Sequence, residues 1–357
     1  MTDSRSPNAG THLSRRVVVS GAASLLLPAL SPATCRADAF EPRRDLDAVF
    51  TEKVDNSVRR GLDLLLTRQK PDGTFSTDTH GKWAGVCALG GMALLSRGVR
   101  PGLGTAGEAL SRTRDYVLSC VQSNGFVSSE QTSHGPMYGH GFGTLFLAEV
   151  YGQDHHADLR AKLQLAVRLI IRSQNASGGW RYNPSPSDAD LSVTACQMMA
   201  LRAARNAGIE VPKKTIDAAV GYIRRSQNPD GGFMYQVTGG SSRFPLTAAA
   251  VVALYSAGIY EGDEIRLAID YIRRRANENL KPGRDKFFFY AHYYSSQVFW
   301  HLGGTEWTQW YNGLKKALLP AQNAQGGWFD FNSTEYATAM ACLILSMPRT
   351  LLPIFQR

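Results

Sequence analysis

Two carboxylates separated by one residue, in the run Asp188-Ala189-Asp190-Leu191-Ser192, are the part of the sequence best suited to acid–base work. Close together in apolar surroundings, such a pair can hold one proton at a raised pKa, which is what a general acid needs. A plainer role fits the same residues, because Asp190 or Ser192 at the start of an apolar segment is also a helix N-cap. His140 and His292 lie in apolar stretches and could act as ligands or proton carriers; hydrogen-bonded core or rim positions explain them as well. Aromatic side chains gather in the same segments, at Trp83, Tyr138, Phe142, Tyr290, Tyr293, Tyr294 and Tyr336. Their π faces would suit a cation or the wall around an apolar chain, and packing between layers would use them too. Glycan chemistry needs paired carboxylates, for which the set is Asp188 and Asp190 with Glu335 or Asp330.

Any of these roles depends on elements that bring the segments together, and an internal repeat supplies them. A glutamine followed by a glycine turn and an aromatic recurs at Gln69, Gly73 and Phe75; Gln122, Gly125 and Phe126; Gln174, Gly178, Gly179 and Trp180; Gln227, Gly231, Gly232 and Phe233; and Gln322, Gly326, Gly327 and Trp328. The glutamines are 53, 52, 53 and then 95 residues apart, so the last gap holds two shorter units with a degenerate turn near Lys281 to Arg284. A helix with one wet face leads into each turn: 54–68, 108–121, 159–173, 213–226, 263–277 and 306–321. A second helix, nearly free of charge, follows: 83–95, 141–151, 192–204, 246–257, 294–302 and 336–347. Helices that are apolar all round are buried on several sides, so the second set should form an inner ring and the first an outer one. The expectation is an all-α chain, an α/α toroid (α6/α6 barrel) of about six helical hairpins over residues 54–357. Open helical solenoids built on units of about 34 residues fit the spacing less well.

The glutamine, glycine turn and aromatic, with Leu64, Leu169 or Tyr222 five places ahead of a glutamine, resemble the QW repeat of squalene and oxidosqualene cyclases and, more weakly, of protein prenyltransferase β subunits. Met137 to Gly141 and Asp190 to Ala195 also look like an exported, planctomycete-type group of bacterial prenyltransferase/squalene-oxidase-repeat proteins. The resemblance implies a terpenoid cyclase-like toroid that binds, and in an enzyme transforms, an isoprenoid or similar apolar ligand. The repeat residues would then be structural ties. It implies Asp190 as the acid with Asp188 beside it, although Leu191 stands where the Asp-x-Asp-Asp pattern of class II terpene cyclases has its last Asp. Tyr138, His140, His292 and Tyr294 would line the site, together with Trp83, Tyr293 and Tyr336. His292 matches the zinc-binding histidine of the prenyltransferases, but Ser242 to Leu246 replace the acid and thiol, so acid-initiated chemistry is the better expectation, with no cofactor. The rivals are a non-catalytic binding or protein-interaction toroid and an α/α-barrel glycan-acting enzyme.

The 357 residues carry a formal net charge of +9, spread along helices and not interleaved with aromatics, which argues against a nucleic-acid partner and leaves room for peripheral contact with anionic membrane. Arg15 and Arg16 ahead of a short apolar run and the small-residue site Ala37 to Ala39 read as an export signal over 1–39, of the twin-arginine kind or else an ordinary secretory signal with two arginines in its positive region, followed by a linker over 40–53. The expected location is therefore extracytoplasmic. Cys87, Cys120, Cys196 and Cys342 lie in apolar helical stretches; buried free thiols are expected, with Cys87 to Cys342 the pairing a closed ring would allow.

Overall fold

Inner and outer helices differ in what they can afford to expose. Lys213–Arg225 buries Ile216, Ala219, Val220, Tyr222 and Ile223, one stripe at three- and four-residue spacing, and leaves its lysines and arginines outside. Every residue of Ala84–Ser96 is buried, as a helix enclosed by neighbours requires. A computed structural model describes residues 49–75, 82–129, 135–154, 156–275, 281–284, 286–331 and 333–356. The export signal read at 1–39 and most of the linker lie outside the described residues. Among those described there are twelve α-helices and only isolated β-bridges: α1 Glu52–Arg68, α2 Ala84–Ser96, α3 Gly104–Ser119, α4 Pro136–Tyr151, α5 Leu159–Ser173, α6 Leu191–Asn206, α7 Lys213–Arg225, α8 Phe244–Ser256, α9 Asp263–Arg275, α10 Phe288–Leu302, α11 Gly304–Ala321 and α12 Thr334–Ser346. Among these same residues, no helix is long and apolar enough to cross a membrane.

The even-numbered helices pack in sequence, α2 on α4, α6, α8, α10 and α12, and α12 packs back on α2, so the inner ring closes. The odd-numbered helices surround it. Two inner helices begin a turn or more earlier than their sequences suggest. Residues 137–140 and 289–293 are helical, and the start of α4 packs tightly on α2: a Cβ at Gly85 would sit 2.9 Å from the Cα of Gly139, so glycine at 85 lets the backbones approach this closely.

The glutamine turns stitch the outer layer. Gly73, Gly125, Gly178, Gly231 and Gly326 all have φ between +85° and +95°. A Cβ on each would strike a backbone carbonyl of the next outer helix, at 2.1 Å from Ala218 in the case of Gly178. The glutamine amides reach the same helices, Gln69 to the carbonyl of Ala109, Gln174 to Thr215 and Gln227 to Glu264, at 2.8–2.9 Å. Gln322 completes the circuit by donating to Ser57 of α1 at 2.8 Å. In the fourth gap Gly283 is left-handed too, yet it faces Phe329 and no outer helix, which is the degenerate turn expected there. In three of the five turns the aromatic ties inward: Trp180, Phe233 and Trp328 donate their backbone N–H to Thr194, Thr247 and Thr338 of the next inner helix.

Neighbouring inner helices meet start to start, so they run parallel, with their N-termini at one end of the ring. The opposite end is covered by the segment after α12. Leu351 donates to Ser96 at the end of α2, Arg202 of α6 donates to the Gln356 carbonyl, and Leu352 and Phe355 are fully buried. Phe355 meets Tyr293 edge-on at 6.0 Å, and Tyr293 meets Phe142 at 6.1 Å, so side chains fill the axis at this depth. Cys87, Cys120, Cys196 and Cys342 are buried and free, as expected by default, which corrects the alternative Cys87 to Cys342 pairing. Although α2 and α12 are neighbours, Cys342 turns its sulfur toward α1, where it donates to Val58 at 3.8 Å and would lie 2.6 Å from a Cβ at Gly61.

Candidate functional site

Asp190 is the N-cap of α6, in extended conformation, with its side chain accepting from the Val193 N–H at 2.9 Å. Ser192 donates to the same carboxylate oxygen at 2.5 Å, and Tyr138 of α4 donates to Ser192 at 2.6 Å. The carboxyl is completely buried, and its second oxygen, Oδ2, makes no hydrogen bond. Burial raises its pKa, against the Ser192 and Val193 bonds and the nearby Arg181. The capping role anticipated from sequence is present, and so is an acid whose free oxygen is where a proton would sit.

Tyrosines crowd this acid. Tyr138 and Tyr290 are close enough to feel its charge. Tyr290 stacks obliquely on Tyr294 at 4.8 Å, and Tyr294 meets Tyr293 at 5.1 Å. The hydroxyl of Tyr293 is buried without a hydrogen bond. Tyr336 joins the group from α12, and burial pushes these phenols well above the usual tyrosine range, so they stay neutral. Half-buried Trp83 lies at the start of α2, at the same end of the ring.

Asp188 does not share in this site. Its carboxylate is 56% exposed, 3.0 Å from Arg181 and beside the Gln236 amide, so the two aspartates do not pair as expected. A backbone bridge explains the split, since Asp190 pairs with Trp180 and points inward while the chain at Asp188 runs over the rim. Both histidines lie in the first turns of α4 and α10, at the tyrosines' end of the ring, but neither ring faces the tyrosines. His140 accepts from Val127 at 3.1 Å, lies beside Phe126, and is lowered to about 3 by burial, so it is a neutral wall residue. His292 is buried among Phe288, Phe244 and Trp310, facing the outer layer. Glu335 is bound to Arg68 of α1, and Asp330 is buried near Tyr336. No three His, Cys, Asp or Glu side chains converge as a metal site among the described residues.

Two rim residues were missed. Tyr182 and Tyr235 bond hydroxyl to hydroxyl at 2.6 Å and hold the Arg181 guanidinium over both rings, at 5.1 and 5.7 Å. Each stands two places after the aromatic of its turn, 53 residues apart, so the repeat spacing itself could have singled them out. Their backbones bridge the inner helices: the Tyr182 carbonyl accepts from Met137 and that of Tyr235 from Leu191.

The family model for the prenyltransferase alpha-alpha toroid domain matches residues 60–286. Over 90 residues the chain is 37% identical to drimenyl diphosphate synthase of Streptantibioticus cattleyicolor, a match spanning 25% of this chain and only 16% of that protein. A type II terpene cyclase from Scytonema shares the fold with a TM-score of 0.57 and 14% identity, over 82% of this chain and 97% of that one. Another structure of that cyclase holds geranylgeranyl dihydroxybenzoate as substrate. The cellobiose 2-epimerase of Spirochaeta thermophila is also similar, with a TM-score of 0.66 and 12% identity over 87% and 98% of the two chains. At such identities the structural likeness carries the fold alone.

Proposed function

The chain belongs to the prenyltransferase alpha-alpha toroid family, and from that premise we propose that it binds an isoprenoid or similar apolar chain at the tyrosine-lined mouth, with Asp190 as the proton donor to it. The observation that supports this most is the Asp190 carboxyl: buried, raised in pKa, and left with one oxygen unbonded among neutral phenols. Protonation of an alkene carbon by the Oδ2–H would leave a carboxylate already held by Val193 and Ser192 and a cation facing tyrosine π systems. Asp188 stays outside this scheme, as do both histidines. The export signal read over residues 1–39 would place this binding outside the cytoplasm.

The test is to purify the protein, extract it and identify co-purifying lipid by mass spectrometry, then titrate polyprenyl alcohols against intrinsic tyrosine and tryptophan fluorescence. Bound isoprenoid with saturable quenching is expected; neither signal would end this reading. Asp190→Asn, which preserves the helix cap, should retain binding and lose any proton-initiated conversion. A second reading, a toroid that binds without chemistry, is favoured by the packed axis at Phe142, Tyr293 and Phe355. It predicts binding without turnover in the unaltered protein. The glycan reading has less to support it, because Asp188 and Glu335 are turned to Arg181 and Arg68.

A further inference from the structure

The end of the ring where the inner helices begin carries three phenylalanines in water. Phe329 and Phe331, between the last glutamine turn and the Ser333 cap of α12, are 58% and 61% exposed and meet edge to face at 5.8 Å. Phe287, immediately ahead of α10, is 53% exposed. Exposed cations accompany them: Lys281, Arg284 and Lys286, the last with its ammonium 5.7 Å from the Phe287 ring. The left-handed turn at Gly283 seats this basic segment against Phe329, where a Cβ on the glycine would lie 3.7 Å from the ring. Residues 281–287 hold three cations against the single acid Asp285. The acids after Phe329 do not oppose them, since Asp330 and Glu335 are 4% and 2% exposed and Glu335 is paired with Arg68.

A protein surface gains nothing from phenylalanines held in water, whereas a lipid interface takes up both halves of this patch. Aromatic rings settle at the boundary between headgroups and acyl chains, while lysines and arginines meet the phosphates. We propose that this face docks on an anionic phospholipid bilayer through Phe287, Phe329 and Phe331, with Lys281, Arg284 and Lys286 as the electrostatic contacts. The patch lies beside the starts of α10 and α12, at the same end of the ring as the start of α6 and its Asp190 cap, so docking turns that end toward the membrane. It stands on surface residues alone and does not depend on what the mouth binds.

Sedimentation of the protein with phosphatidylcholine vesicles, with and without phosphatidylglycerol, tests it. The unaltered protein should pellet with the anionic vesicles and be released by salt. Charge reversal at Lys281, Arg284 and Lys286 should weaken partitioning by at least about fivefold per charge. The pair Phe329→Ser and Phe331→Ser should weaken it by about tenfold or more while thermal unfolding stays unchanged, as befits exposed side chains. Protein that remains in the supernatant with anionic vesicles, or a serine pair that partitions like the parent, overturns the proposal. So does a serine pair that turns a dimer into a monomer by light scattering without altering vesicle binding, for the face would then be a contact between copies.

Discussion

Tyr138 of α4 bonds to Ser192 of α6 at 2.6 Å, and through Ser192 reaches the buried Asp190, so a short hydrogen-bonded chain crosses between adjacent inner helices. Ser192→Ala should leave Asp190 with only backbone donors, the N–H groups of Val193 and residue 192, and raise its pKa further, since the Ser192 hydroxyl bond is the largest influence holding it down. A carboxyl titration followed by carbon NMR should show that shift, and Tyr138→Phe, which leaves the Ser192 donor in place, should move the pKa less. Equal shifts in the two variants would break the ordering of this chain.

At the covered end, burial pushes Glu149 up to about 8, with the Ile354 N–H and nearby Arg202 only partly opposing it. A carboxyl with a higher pKa folded than its ordinary value of 4.5 binds its proton more tightly in the folded state. Its stabilising contribution is therefore full below that value and is lost as pH rises to about 8. Glu149→Gln removes the dependence. In urea titrations across this range, the stability of the parent relative to the variant should decline with pH; a difference flat with pH would show Glu149 ionised throughout.

Glutamines of the same motif should differ in their worth. Gln322 donates to Ser57 and Gly326 and accepts from the Ser57 hydroxyl, whereas Gln122 is exposed. Gln322→Ala should cost about 1–3 kcal/mol, and Gln122→Ala less than about 0.5 kcal/mol. Denaturant midpoints at constant slope will give the comparison.

Two left-handed glycines separate conformational strain from collision. Gly208 has φ +76° and open space around it, so Gly208→Ala should cost about 1 kcal/mol for backbone strain. Gly178→Ala adds contact with the Ala218 carbonyl and should cost at least about 3 kcal/mol or prevent folding. Similar melting temperatures for the two variants would mean that the outer helices shift apart at little cost.

The outer stitching was readable because glycine at a fixed distance from glutamine answers a local demand, a left-handed turn pressed on a neighbour's backbone. The early starts of α4 and α10 were hidden, since Gly139 and the aromatic run 287–294 look like loop or strand until a close-packed neighbour is present. Orientation was less legible still. Nothing in Asp188-Ala189-Asp190 says which acid turns inward; that follows from the backbone bridge between Asp190 and Trp180. The residues after α12, Phe355 among them, gain their place only once the ring they cover exists.

Linear stacks of helical hairpins lose structure from their ends, where the last unit has a neighbour on one side only. In this chain the hairpin of α11 and α12 is bonded to α1, and Gly326 rests on Arg60 as its counterparts rest on theirs. The first and last described hairpins are thus bonded to each other, and cooperativity comes from the closed topology as much as from the core.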